Sequence, residues 1–321
     1  MRKSLLIVLS ALVVGGCSKP ESVAVEPSSR IGFASQLTKG SIVENAEDLQ
    51  QQELRLYGAY TLDGRTARVF DAERLYYNDE IPAWDYAVPQ YWIMGASYRF
   101  CAVAPYNTTC TFSDEDGVVT IGNYMGYAGG PDLLYASAER DLRDDDDFSA
   151  VPLHFRHACA GVRFNLVNAS SQVLTDVRNI RLVGVQNRGN FSFDSKGAMR
   201  WSLDGSTIGA YDYEQPFAGI CTLPSDGLPV NLGVKHPLYD EQVLMVLPQT
   251  IYKTPVTLHL EYIKEGDAEY AVRNIELGWL GGSTPTEWRA GAMYDYNLTI
   301  TDNTITAEVI VVDWVDDFVD L

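Results

Sequence analysis

The residues with the widest chemical range in this chain are its five cysteines and four histidines, set among 43 acidic side chains. Cys17 has the most specific surroundings. Arg2 and Lys3 precede an apolar run from Leu5 to Val14, and Val14-Gly15-Gly16-Cys17 places small residues at a scissile bond directly before a thiol. That is the pattern of an exported precursor cut at a lipobox, whose cysteine then carries a diacylglycerol thioether. The apolar run has about ten residues, too few to span a bilayer core of roughly 30 Å, so it reads as a signal segment. Acyl chains contribute roughly 0.8 kcal/mol per buried methylene, and several together anchor a protein stably.

The remaining cysteines, Cys101, Cys110, Cys159 and Cys221, lack the spacing of a zinc site. In an exported chain they are free to pair, and a Cys101–Cys110 disulfide would bridge a hairpin; Cys159 sits in an apolar strand and reads as a small hydrophobe. His154 and His157 are three apart in strand-like sequence, hence on opposite faces, which is poor geometry for a shared metal. His236 and His259 have no flanking carboxylate pattern. The run from Asp141 to Asp147 crowds carboxylates without EF-hand spacing or a turn glycine, and reads as a solvated loop rather than a calcium site. Asp114-Glu-Asp-Gly117 reads as a hairpin tip. No nucleophile elbow, phosphate-binding loop, His-Glu-x-x-His helix or dinucleotide fingerprint is present. A carboxylate pair of the kind glycosidases use is not selectable among so many acids. The expectation is no catalytic residue, no metal and no cofactor. Trp84, Tyr91 and Trp92 have the chemistry to stack on sugars, yet their setting favours core packing.

The elements that would position these residues are strands. The chain has 321 residues, 46% of them hydrophobic, which allows two domains with sizeable cores. Nineteen Tyr and six Trp, with many Val, Ile and Thr, favour β-structure. A net charge of −19 repels phosphates and argues against nucleic acid as a partner. Residues 18–30, rich in Ser, Pro and Glu, read as a flexible tether. Ile31, Phe33, Ser35 and Leu37 then share one face of a first strand. Residues 43–52 read as a short helical turn or a loop. Leu54 to Thr61 alternates and ends at the turn signal Asp63-Gly64. Short strand-like pieces follow to Ile121, with a helix predicted at 133–139. The acidic run divides the chain into 31–147 and 148–321. After residue 150 the pattern is all strands, closing with Ile305 to Trp314; the whole reads as a β-sandwich protein.

Several segments, in this order, resemble the fimbrillin (Mfa-like and FimA-like) family of Bacteroidales, the subunits of type V pili. They are the Cys17 lipobox; Ile31–Leu37 with Thr38-Lys39; Pro89-Gln-Tyr-Trp92 leading to Tyr98-Arg-Phe-Cys-Ala-Val-Ala-Pro105; Phe155-Arg-His157-Ala-Cys-Ala-Gly-Val-Arg-Phe164; and Trp288-x-x-Gly291-x-x-Tyr294-x-Tyr296. The resemblance implies an all-β fold of two tandem transthyretin-like β-sandwich domains. It implies an outer-membrane lipoprotein precursor on the cell surface, cut by a trypsin-like protease beyond the first strand. The partners would be other pilus subunits, joined when a strand of one fills the groove left in another, together with the membrane through the lipid and a host or bacterial surface ligand. On this sequence the groove plugs would be Ile31, Phe33 and Leu37, and the donor strand would run over Ile305–Val312, with Ile305, Val309 and Val311 as its candidate donor residues. Cleavage is where the chain departs from the family. Arg30 precedes the strand, Arg55 lies inside another, and Lys39 is the best-placed basic residue. An arginine-specific protease therefore lacks a target after the strand, which leaves open an uncut, lipid-held anchor, or a tip or accessory subunit, with Ile31–Leu37 as a permanent strand. The competing reading is a surface glycan-binding lipoprotein.

Overall fold

The computed structural model describes residues 29–37, 49–127, 130–143, 147–205, 208–212, 221–223, 225–226, 229–232, 243–252, 254–279 and 284–313. Cys17, the tether up to residue 28, Lys39 and His236 lie outside them, as does the side chain of Cys221. The regular elements of the described residues are strands, with a 3-10 turn at Leu277–Trp279.

In chain order the first nine strands are β1 (Phe33–Leu37), β2 (Leu54–Leu62), β3 (Arg65–Asn78), β4 (Ala83–Asp85), β5 (Ser97–Ala104), β6 (Thr111–Phe112), β7 (Val119–Met125), β8 (Leu134–Asp141) and β9 (Val151–His157). All but β6 and β7 form a closed barrel in the order β1-β4-β3-β2-β5-β8-β9. The Asp63-Gly64 signal makes a two-residue hairpin between β2 and β3; both residues have positive φ, as the turn that matches strand twist demands. Where the sequence reads as short pieces, Arg65 to Asn78 form one long strand, β3. The barrel interior holds Leu54, Leu56, Phe70, Trp84, Trp92, Phe100 and the aromatic and aliphatic side chains around them. Leu49 is fully buried there, which fixes the chain as it enters β2.

The helix predicted at 133–139 is instead β8, paired with β5 from Ser97↔Asp141 to Ala104↔Leu134. Leu134 and Ala136 face the barrel interior while Tyr135 packs on the opposite side. Both faces of the strand are covered, so the alternation that marks a half-exposed strand is lost. Its Leu, Ala and Glu content then suggests a helix that tertiary pairing overrides.

The second half comprises β10 (Ala160–Asn168), β11 (Leu174–Gln186), β12 (Arg188–Phe193), β13 (Met199–Leu203), β14 (Ile208–Asp212), β15 (Cys221–Leu223), β16 (Pro229–Leu232), β17 (Leu244–Val246), β18 (Gln249–Thr250), β19 (Thr257–Lys264), β20 (Ala271–Glu276), β21 (Glu287–Trp288), β22 (Ala292–Ile300) and β23 (Ile305–Asp313). One sheet runs β16-β10-β22-β23 and another β14-β11-β19-β20. Their buried faces share a second core that includes Phe164, Val177, Leu258, Tyr262, Trp288, Tyr296 and Leu298. β10 and β22 pair in parallel over eight positions, and Phe164 stacks on Tyr296 across that pair.

The Trp288…Tyr296 pattern has a structural account. Trp288 Nε1 donates to Tyr296 Oη at 3.0 Å inside the core, Arg289 N donates to Tyr294 Oη, and Gly291, at φ +67, donates its N–H to Cys159 O. A third sheet, β13-β12-β7-β6, joins the two halves, because β7 of the first pairs with β12 of the second. It packs on the outer wall of β2, β5 and β8 through Tyr57, Cys101, Tyr135, Phe191 and Phe193. The acidic run thus precedes the last barrel strand. Asp147 pairs with Arg140, and Asp141 with Arg143.

Gly184 interrupts β11 at φ +84, where the register to β14 shifts, and a Cβ there would sit 2.3 Å from the Pro255 carbonyl oxygen. Neither the backbone angle nor the neighbour tolerates a side chain. Gly184→Ala is expected to destabilise the protein by about 2–3 kcal/mol, read as a lower urea midpoint with an unchanged m-value.

Candidate functional site: the seat of the first strand

Among the described strands β1 has no hairpin partner. It lies parallel to β9 from Phe33↔Val151 to Leu37↔Phe155, and meets β4 on its other side at Phe33↔Trp84. More than a hundred residues separate it from β9, so its place is held by side chains and by a few hydrogen bonds.

Ile31 is fully buried and Phe33 nearly so. The Phe33 ring meets Phe100, Phe70 and Tyr86 edge-on at centroid distances of 5.4, 5.6 and 6.1 Å. Each fully buried side chain of this size contributes about 1.5–3 kcal/mol by transfer from water, and each such ring pair roughly 0.5–1.5 more. Ser35 accepts a hydrogen bond from Trp84 Nε1 at 2.7 Å. Two of the three predicted plugs, Ile31 and Phe33, occupy the barrel interior; Leu37 is placed by its pairing with Phe155.

A second set of contacts, which sequence reasoning missed, fastens the residues just before β1. Ile31 N–H donates to Gln90 O, Trp92 N–H donates to Ser29 O, and Arg30 bridges Tyr91. Tyr86 Oη donates to Ile31 O at 2.6 Å. Arg30 donates to Asp85 at 2.5 Å and to Tyr86 O at 3.0 Å, and its guanidinium lies 4.3 Å from the Tyr86 ring centroid. Partial burial works against the Asp85 charge, but hydrogen bonds from Arg30, the Tyr86 N–H and Asn78 outweigh it, so the carboxyl titrates below its ordinary range. Burial pushes the Tyr86 phenol up. Arg30, which the sequence presents only as a basic residue beside the tether, is a clasp on the strand. Its exposed position and its pairing to a residue 55 away left no local signal.

The predicted donor residues lie in β23, which pairs antiparallel with β22 at every position from Ala292↔Asp313 to Ile300↔Ile305. Ile305, Ala307 and Val309 lean on the second core, whereas Ile310, Val311 and Val312 are between 40% and 49% exposed. β23 ends the order of its sheet among the described strands.

The other candidate residues are structural. Trp84 and Trp92 are in the barrel core, Trp92 only 2% exposed, so neither offers a stacking face; Tyr91 is exposed. Cys101 and Cys110 are free thiols rather than a disulfide: Cys101 is buried against Gly117 O, and burial raises the half-buried Cys110 thiol to about 11. Cys159 is buried, as a small hydrophobe would be. His157 lies buried with Nδ1 2.8 Å from Asp132, while His154 is on the opposite, outward side of β9. His259 contacts Asn274 at 2.7 Å across β19 and β20. Asp114 closes the tip between β6 and β7 and pairs with Arg68. No three potential ligands gather around a metal position among the described residues.

This is a β-protein with a barrel core, a second core between two sheets and an apolar layer joining them, whose first strand is a noncovalently seated insert. Residues 50–314 match the profile of the fimbrillin-like family, and the chain belongs to that family. Among solved structures, a fimbrial protein from Bacteroides vulgatus superposes with a TM-score of 0.62 at 15% identity, covering 89% of this chain and 99% of that one. A cell-adhesion candidate from Bacteroides uniformis gives 0.57 at 16% identity, covering 89% and 99%. These likenesses are likenesses of fold. No curated protein sequence matches the chain.

Truncating the plug and loosening the clasp separate the two contributions. Phe33→Ala is expected to cost about 3–5 kcal/mol by emptying an aromatic seat. Arg30→Ala is expected to cost about 1 kcal/mol, because its ion pair and ring contact are partly solvated. Chemical denaturation at neutral pH reads both. The Asp85 carboxyl is depressed in the fold, so its stabilisation is complete above the unfolded-state value and fades as pH falls through the folded one. The penalty of Arg30→Ala relative to wild type should therefore shrink when denaturation is repeated below about pH 4.

Proposed function

We propose that the protein is a structural subunit of a type V-like fimbrium, exported as a lipoprotein through Cys17, displayed at the outer membrane, and assembled by β-strand addition. Family membership supports the pilus role. We read the two cores as tandem transthyretin-like sandwich domains, divided at or just beyond the acidic run.

The observation that carries the assembly reading is the seat of β1. Its plug side chains come from a segment with no turn connecting it to either strand neighbour. Withdrawing it would expose the edges of β9 and β4 and an apolar seat lined by Phe70, Tyr86 and Phe100. An incoming strand is recognised by the backbone edges, and its alternate side chains by the seat. Cleavage after Lys39 would free β1 from the body, and β23, with its edge and exposed Ile310–Val312, is the donor candidate for a neighbouring subunit. Arg30 is held by Asp85 and Tyr86, with the fully buried Ile31 next to it, and that hold disfavours cutting at the bond between them. The glycan-stacking alternative gains no support at Trp84 or Trp92, which are buried. We assign no catalytic role.

Mass spectrometry of the amino terminus in membrane and pilus fractions tests this. A new terminus at Gly40 in assembled material is the expected result for strand exchange; an intact acylated Cys17 there would mean β1 is permanent and the protein is a lipid-held anchor. Deleting 303–321 is expected to abolish polymers while leaving a soluble monomer. Polymers formed by that truncated chain would rule out β23 as donor.

A further inference from the structure

The barrel wall parts between β8 and β9. Their ladder covers only Leu134↔His157 and Tyr135↔Arg156, while β8 continues along β5 to Asp141 and β9 runs along β1 from Val151. Val151 N–H donates to Gly32 O on the β1 side. Strand alternation therefore turns the backbone polar groups of His154 and Arg156 towards β8. At this parting lies a slot of about 270 Å³, bordered by the turn between β12 and β13 and lined by Ser137, Glu139, His154, Arg156, Ser195 and Lys196.

In a chain of net charge −19, the slot gathers Arg156 and Lys196 with a histidine between the strands. The turn is shaped to admit the guanidinium. Gly197 has φ +82, and a Cβ there would lie 2.8 Å from Arg156 Nη1 and 3.3 Å from Ser137 Oγ. Arg156 donates to Gly197 O at 3.4 Å. The one carboxylate, Glu139, accepts from the Ser195 hydroxyl at 2.6 Å, and Ser195 is itself only 5% exposed. Two cations would attract an anion, whereas Glu139 disfavours a bare one and favours a ligand that brings hydroxyl donors.

We propose that this slot binds a small hydroxylated carboxylate, a single sugar-acid unit. Its carboxylate lies against Arg156 and Lys196, and its hydroxyls donate to Glu139 and meet Ser137. The volume is near the lower end of ligand pockets, which run from about 300 Å³, and suits one ring rather than a chain. The slot uses no residue of β1 or β23, so this binding stands or falls independently of strand exchange.

The test is titration of the full chain, by calorimetry or by amide chemical shifts, with D-glucuronate, D-glucose and acetate. D-glucuronate is expected to bind with Kd at or below about 1 mM. D-glucose and acetate should each bind roughly tenfold more weakly, lacking the carboxylate and the hydroxyls respectively. Lys196 is exposed at a turn, so Lys196→Ala should keep the wild-type melting temperature while weakening glucuronate by roughly tenfold. Glu139→Gln should narrow the gap between glucuronate and acetate. The proposal is overturned if glucuronate fails to bind in that range, if glucose or acetate matches it, or if a normally folded Lys196→Ala binds it as well as wild type.

Discussion

The Phe33 ring, seated among Phe70, Tyr86 and Phe100, is the interaction on which the closed form of the barrel depends. β2, β3, β4, β5 and β8 are each joined to a barrel neighbour by a turn or by a long antiparallel ladder, and β1 has neither. Its ladder to β9 is parallel and short, a geometry slightly less stable per residue than the antiparallel one, and its contact with β4 is a single pair. Hydrogen bonds alone would not keep such a strand in place. The aromatic seat supplies the attraction, and the Arg30–Asp85–Tyr86 clasp sets the register from the tether side. The two contributions differ in kind. The seat is apolar and insensitive to salt, whereas the clasp is electrostatic, partly solvated and weakened by acid.

What was legible in the sequence followed from local signals. The alternation of Ile31, Phe33, Ser35 and Leu37 is written in side-chain types, and so is the Asp63-Gly64 hairpin. The Trp288…Tyr296 pattern was recognisable because its hydrogen bonds run between residues five and eight apart. What was not legible is long-range. Nothing near Ile31 announces a parallel partner at Val151, and nothing at Arg30 announces Asp85. β8 misled for a related reason: its two covered faces erase the period-2 pattern, and the residues left to read are good helix formers. The Cys101–Cys110 disulfide was a spacing argument, and spacing does not report that Cys101 points into the packing between the barrel and the third sheet.

That third sheet changes how the halves relate. Because β7 pairs with β12, and Tyr57, Tyr135, Phe191 and Phe193 pack together with Met245 and Met293, a continuous apolar layer ties the barrel to the sheets of the second half. β9 runs into β10 with only Ala158 and Cys159 between, and the buried His157–Asp132 pair sits at that joint. The barrel therefore has a rigid side, built on β2, β5 and β8 and braced by the third sheet, and a lightly held side at β1 and β4. β1, which no turn joins to its strand neighbours, lies on the side without the brace.

The seat also limits what can replace β1. It was shaped around an aromatic ring, and an aliphatic side chain in its place leaves unfilled space. A cavity of that kind costs roughly 24 cal/mol for each Å³ that the walls fail to close. The inward residues of β23, Ile305, Ala307 and Val309, are smaller than phenylalanine. They match the period of β1 but not the size of its largest plug. Domain stability is commonly about 5–15 kcal/mol, so a mismatch of a few kcal/mol at this one position weighs heavily against a new strand. A replacement strand must therefore either bring a larger side chain to the Phe33 position or gain the difference elsewhere, through a longer ladder along β9 and β4 than the five residues β1 provides.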